Sequence, residues 1–231
     1  MGLGGILQEL KTEGVLALYH DYRSGRLVDY SGNGNNGVAT TINFTKGAAL
    51  RLGTASRIEV VQNATINVAS FSIITKLNYP NAASFQRIAA KRGALGPTAQ
   101  FEWLYWNDSV GIYLFSDIGA SYLGFAEGHI GVKTEGISIN SGSAPVGYRN
   151  GISRGSYNAA LTIIPQNVDP LTIMNTNVSY VPGGYNTQSF YNEYFLFFSR
   201  SLTATEHARV YGQLENMTWN TKGLTPGPMM P

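Results

Sequence analysis

From residue 15 to residue 198 the chain is a succession of short β-type runs, each closed by a cluster of Gly, Asn, Ser or Pro, at the spacing of roughly 8–12 residues that marks a sandwich or barrel. The runs predicted as strands are 15–19, 48–52, 57–61, 71–77, 86–91, 100–106, 111–115, 122–125, 129–133, 146–149, 171–174 and 190–198. Phe71, Ile73, Thr75 and Leu77 alternate with Ser72, Ile74 and Lys76, the period of a strand buried on one face. Residues 194–198, Tyr-Phe-Leu-Phe-Phe, are apolar on both faces and belong in the middle of a sheet. Two packed sheets follow. Asn150-Gly151 is a two-residue hairpin signal of the type I′ kind.

Only one helix is well marked. Thr203 and Glu206 form a capping box, and His207, Val210, Tyr211 and Leu214 then fall on one helical stripe. Residues 1–14 form an arm in which Ile6, Leu7 and Leu10 have helical spacing, either a docking helix or a frayed end. Residues 220–231 carry three prolines and two glycines, which exclude a regular element and leave an extended tail. The expected organisation is therefore an arm (1–14), a β-sandwich domain (15–219) and a tail (220–231).

Composition narrows the chemistry. Of 231 residues 43% are hydrophobic and only 13% charged, while Gly (27), Asn (19) and Tyr (14) are plentiful, so solvation falls to amides and hydroxyls. A net charge of +2 supplies no field for nucleic acid or an anionic membrane surface. No run of ~18 apolar residues spans a bilayer, and the first ten residues lack a signal-peptide pattern, so a soluble chain without a signal peptide is expected. Zero cysteines exclude disulfides, thiolate catalysis and Cys-ligated metals. Five Asn-x-Ser/Thr sequons, at Asn43, Asn63, Asn107, Asn177 and Asn216, are read as chance in an Asn-rich chain.

Several segments in order resemble the laminin G-like, concanavalin A-like family. Residues 15–19 followed by 27–37, Leu-Val-Asp-Tyr-Ser-Gly-Asn-Gly-Asn-Asn-Gly, are similar to its opening strand and D-x-SGNGN-x-G turn. Residues 71–79, 129–136, 148–151 and 190–211 resemble four further family elements, the last being the closing strand and helix. The resemblance covers residues 15–211 and implies an all-β, two-sheet antiparallel jelly-roll sandwich with one short C-terminal helix. The turn stands on its own chemistry too, because residues 31–37 hold three glycines and three asparagines, the residues that tolerate positive φ.

Glycoside cleavage needs two carboxyls ~5–9 Å apart, and relatives that hydrolyse glucans carry them clustered on one strand. The 14 acids here are scattered, so a catalytic pair requires convergence of distant residues such as Glu102 with Asp117 or Glu127. Calcium is the next candidate. Asp29, Ser31 and Asn33 match the first half of an oxygen-ligand loop, but Thr40 stands where a bidentate Glu is needed. Glu193, beside Asn192, stands where the family often carries an acidic metal ligand. His20, His129 and His207 have no metal-site spacing, Ser141-Gly142-Ser143 is no nucleophile elbow, and residues 93–97 precede no helix that could cradle phosphate.

Glycans are held by stacking on aromatic faces beside amide and carboxylate partners. Trp106, Asn107 and Asp108 at a strand end, with Tyr113 on the next strand, offer that combination, and Trp103 and Tyr105 share an alternate face that is expected to be core. Tyr180, Tyr185 and Asn186 form a second, loop-borne patch. The expectation is a non-enzymatic binding or structural module, most simply a virion component of the bacteriophage capsid-decoration or tail type. Its arm and tail would anchor it to virion proteins or to further copies of itself, and its sandwich would touch host glycans. A free carbohydrate-binding lectin domain and a concanavalin A-like glycoside hydrolase are the alternatives. No cofactor is expected beyond the calcium candidate.

Overall fold

The computed structural model describes residues 4–45, 47–53, 55–79, 85–91, 100–106, 109–113, 120–124, 131–165, 169–175 and 190–217. Its helices are α1 (Gly5–Thr12) and α2 (Ala204–Asn216). Its strands are β1 (Leu16–Asp21), β2 (Gly37–Thr40), β3 (Ile42–Thr45), β4 (Ala48–Arg51), β5 (Arg57–Val60), β6 (Phe71–Tyr79), β7 (Phe85–Lys91), β8 (Phe101–Trp106), β9 (Ser109–Tyr113), β10 (Ala120–Gly124), β11 (Gly131–Ile139), β12 (Val146–Arg149), β13 (Ile152–Ser156), β14 (Leu171–Ile173) and β15 (Tyr191–Phe198).

The strands make two antiparallel sheets, as the alternation required. One has the order β13-β12-β11-β6-β15-β4-β3, with β1 also paired to β15; the other has the order β10-β9-β8-β7-β14-β5-β2. Their inner faces meet in one apolar core that includes Ile73, Leu77, Phe195 and Phe197 from the first sheet and Ile88, Phe101, Trp103 and Ile173 from the second. Phe71 joins the layers, its ring 4.8 Å from Phe101 and 5.1 Å from Phe197. Trp103 and Tyr105 lie in this core, on the face that alternation assigns to them.

A third layer explains why β15 is apolar on both sides. Tyr194, Leu196 and Phe198 turn away from the sandwich core into a second cluster with Ile6, Leu7 and Leu10 of α1 and Val210 and Leu214 of α2. The arm is thus a docked helix, and the chain carries an N-terminal helix besides the C-terminal one expected. Burying Ile6, Leu7 and Leu10 stabilises this packing by roughly 1.5–3 kcal/mol each at most.

Neither end of α1 is left to solvent alone. Gly4 supplies no side-chain cap, but Gln213 of α2 accepts from the Leu7 N–H at 3.1 Å and donates to the Gly4 carbonyl at 2.7 Å. At the other end Gly14, at φ +70°, donates to Lys11 O and Val15 donates to Leu10 O, a Schellman closure with Val15 and Leu10 in the same apolar cluster. In α2 the capping box forms as read: Thr203 Oγ1 accepts from Glu206 N, and Glu206 accepts from Thr203 N.

Candidate functional site

Residues 29–36 wrap the edge of β1 that β15 does not pair. Asp29 is nearly buried, and each of its carboxylate oxygens accepts two donors. Tyr19 N and Ser31 N reach Oδ1 at 3.0 and 2.9 Å, and Ser31 Oγ and Asn35 N reach Oδ2 at 2.7 and 2.9 Å. Asn33 donates to Leu16 O and Ala17 O, Asn35 donates to Ala17 O, and Asn36 accepts from Asp29 N. Side-chain amides therefore take the place of a neighbouring strand along β1.

These are the partners of the calcium candidates Asp29, Ser31 and Asn33. The lone pairs that a cation would need are taken by protein donors, and the Asn33 amide is turned to the β1 backbone. Glu193 stands elsewhere, ion-paired to Lys76 at 3.3 Å. Among the described residues no three His, Asp or Glu side chains gather as a metal site. His20 sits under the same turn, its Nε2 donating to Asn35 O at 2.8 Å, and burial lowers its pKa.

For the aromatic patches the backbone gives placement. Trp106 closes β8 opposite Phe85 and Ser109, and Tyr113 closes β9 opposite Glu102 and Ala120, so the pairing sets these two residues at opposite ends of the β8–β9 pair. Asn107, Asp108, Tyr180, Tyr185 and Asn186 lie outside the described residues. β8 and β14 run in the same direction, both antiparallel to β7, so the chain leaves β8 at Trp106 and β14 at Ile173 toward one end of the second sheet. A shallow groove of about 600 Å³ between α1 and α2, lined by Gly4, Gly5, Ile6, Arg209, Gly212 and Gln213 among others, has no aromatic ring among the described residues.

Several charged groups are buried, where the apolar pattern of the sequence carries no sign of them. Glu135 of β11 accepts from Tyr105 Oη of the opposite sheet at 2.5 Å and from Arg149 Nε of β12 at 2.8 Å. Burial pushes the Glu135 carboxyl up to about 7, against the pull of Arg149 and Tyr105. Glu102, the one described member of the expected convergent pairs, is buried and ion-paired to Arg87; Asp117 and Glu127 lie outside the described residues. Lys91 is fully buried and donates to Asn67 Oδ1 at 2.7 Å. Each of these contacts depends on cross-strand register, which no short motif records.

His207 is structural in the way its position suggested. Its ring stacks on Tyr148 at 3.7 Å, and its Nε2 lies 2.8 Å from Ser138 Oγ, which also meets Ser72 Oγ and Leu202 O at 2.8 Å. Burial pushes the imidazole down to about 3, so it is neutral at physiological pH and fastens α2 to the first sheet. His129 lies outside the described residues.

No family model matches the chain, and no curated protein matches it. Solved structures do. The binding domain of Paraclostridial Mosquitocidal Protein 1 superposes with a TM-score of 0.70 at 18% identity, over 90% of this chain and 53% of that one. A structure of botulinum neurotoxin type C, concerned with its interaction with two ganglioside molecules, gives 0.66 at 15% identity, over 90% and 52%. The botulinum neurotoxin serotype D/C VPI 5993 binding domain gives 0.67 at 14% identity, over 90% and 53%. At such identities the likeness is one of fold, a two-sheet jelly roll, and the chain spans about half the length of the structures it matches.

Proposed function

We propose that this chain is a non-enzymatic glycan-binding module whose ligand, an oligosaccharide, is held where β8 ends at Trp106. The observation that carries the reading is the fold match over 90% of the chain to binding domains of toxins, one of them studied for its interaction with gangliosides. The residues that suit a sugar are those the sequence singled out. In sequence, Trp106 with Asn107 and Asp108 combines an aromatic ring with an amide and a carboxylate, the chemistry a sugar needs, and Tyr180, Tyr185 and Asn186 follow β14, which ends toward the same side. The disposition of Asp21, Asp29, Glu102 and Glu135 suits binding without turnover. Each is held by an arginine or by backbone donors, rather than poised across a cleft as glycoside cleavage requires.

The narrower setting, a virion component anchored by its two ends, rests on the sequence of those ends. Because α1 already buries its apolar stripe on its own domain, the anchoring would fall chiefly to residues 220–231. A glycan array probed with the full chain and with a chain lacking residues 220–231 tests the reading. Binding to a defined set of oligosaccharides that survives the truncation supports a glycan site on the sandwich. Absence of binding, or release of shortened sugars on incubation, overturns it.

A further inference from the structure

Lys91 closes β7 on the inner face of the second sheet, opposite Phe101 of β8 and Leu171 of β14. Its side chain is fully buried, and its Nζ lies 2.7 Å from Oδ1 of Asn67, the residue that ends the 3-10 turn Ala64–Ile66. The amide carbon of Asn67 is one C=O bond further on, about 1.23 Å, so the amine stands within about 4 Å of that carbon. Asp169, 6% exposed, precedes Leu171 by two residues and acts electrostatically on the Lys91 amine. Phe101, in ring contact with Phe71, and buried Ile66 pack beside the pair, and Gln100 donates its N–H to the Lys91 carbonyl. An amine and a primary amide are thus in hydrogen-bond contact, with a carboxyl acting on the amine.

We propose that Lys91 and Asn67 condense to an intramolecular isopeptide cross-link, with Asp169 as the proton carrier. Lys91 Nζ attacks Asn67 Cγ and forms the new C–N bond. Asp169 takes a proton from Nζ and passes it to Asn67 Nδ2. The Cγ–Nδ2 bond breaks and ammonia leaves, so no oxidant, cofactor or second substrate is needed. Lysine is a nucleophile only as the neutral amine, and burial pushes Lys91 down to about 7, against the pull of Asp169. The bond would tie the turn before β6 to the end of β7, closing a loop of 24 residues in a chain that has no cysteine with which to do so.

The test is intact-mass spectrometry of the full chain after folding and incubation at pH 8, followed by peptide mapping. The expected result is a chain lighter than its sequence by one ammonia, with residues 67 and 91 in a single branched peptide. Lys91→Met and Asn67→Leu should both restore the sequence mass, and Asp169→Asn should slow the conversion at least tenfold. Loss of ammonia that persists in Lys91→Met would belong to succinimide formation at an Asn-Gly pair and would overturn the proposal. So would a wild-type chain at its full sequence mass with residues 67 and 91 in separate peptides, a reading that needs no variant to fold.

Discussion

Gly151 lies against Tyr211 so closely that a Cβ at residue 151 would stand 2.8 Å from the Tyr211 Cβ and 3.0 Å from its ring. The position is constrained twice. With Asn150 at φ +52° and Gly151 at φ +75°, the pair makes the type I′ turn between β12 and β13, and α2 then packs directly on its backbone. Gly151→Ala should therefore cost about 2–4 kcal/mol, from the left-handed conformation together with overpacking. Urea denaturation measures it, and a stability within 0.5 kcal/mol, the range of an ordinary surface change, would contradict the contact.

The same hairpin shows what the sequence makes legible. Asn150-Gly151 announces its turn, but β13 itself was not foreseen, nor were β2 and β3. All three are edge strands of four or five residues, half-exposed or exposed, and only β3 shows any alternation, two apolar residues (Ile42 and Phe44) in a run of four, too short to stand out. β2 and β3 are separated by Thr41 alone, at φ +50°, a conformation that a β-branched residue signals poorly. β11 was expected to stop at residue 133 and runs to Ile139, because Glu135 on its inner face breaks the apolar pattern. The central strands, buried by their own period, were found. Of the candidate sites, the Asp29 turn could be read locally, whereas the buried pairs Arg87–Glu102 and Glu135–Arg149 require register.

Removing the Asp29 carboxylate should leave buried Tyr19, Ser31 and Asn35 N–H groups without acceptors. Asp29→Ala is expected to lose about 2–4 kcal/mol. On the reading that the carboxylate serves the turn through its four protein donors, excess chelator should leave the Tm of the wild-type chain unchanged. A Tm that falls on chelation and returns with calcium would restore the metal reading of this loop.

His207 sets one arm of the pH dependence. Its folded value, pushed down to about 3 by burial, lies below the ordinary 6.5, so between those values the unfolded chain binds the extra proton. Its contribution to stability is present above pH 6.5 and is lost as pH falls toward 3, at up to about 1.4 kcal/mol per pH unit. His207→Gln, which can still bond Ser138, should flatten the slope of unfolding free energy between pH 6 and 4. An unchanged slope would mean that the imidazole is not held neutral.

Glu135 acts with the opposite sign. Its folded value is raised to about 7 from 4.5, so the folded chain holds the extra proton between the two. The stability gained by that proton is full below pH 4.5 and is lost as pH rises through 7. The free-energy difference between wild type and Glu135→Gln should accordingly shift against wild type from pH 5 to pH 8. A difference independent of pH would show that Glu135 stays ionised throughout.

The central claim is a sugar site at the end of β8, and calorimetric titration of the strongest array glycan into wild type and Trp106→Ala tests it most directly. Saturable binding by wild type, weakened at least tenfold in a variant with unchanged Tm, is the expected result. Equal affinity in the two proteins would contradict the placement of the site, and no heat from any glycan in wild type would contradict the function.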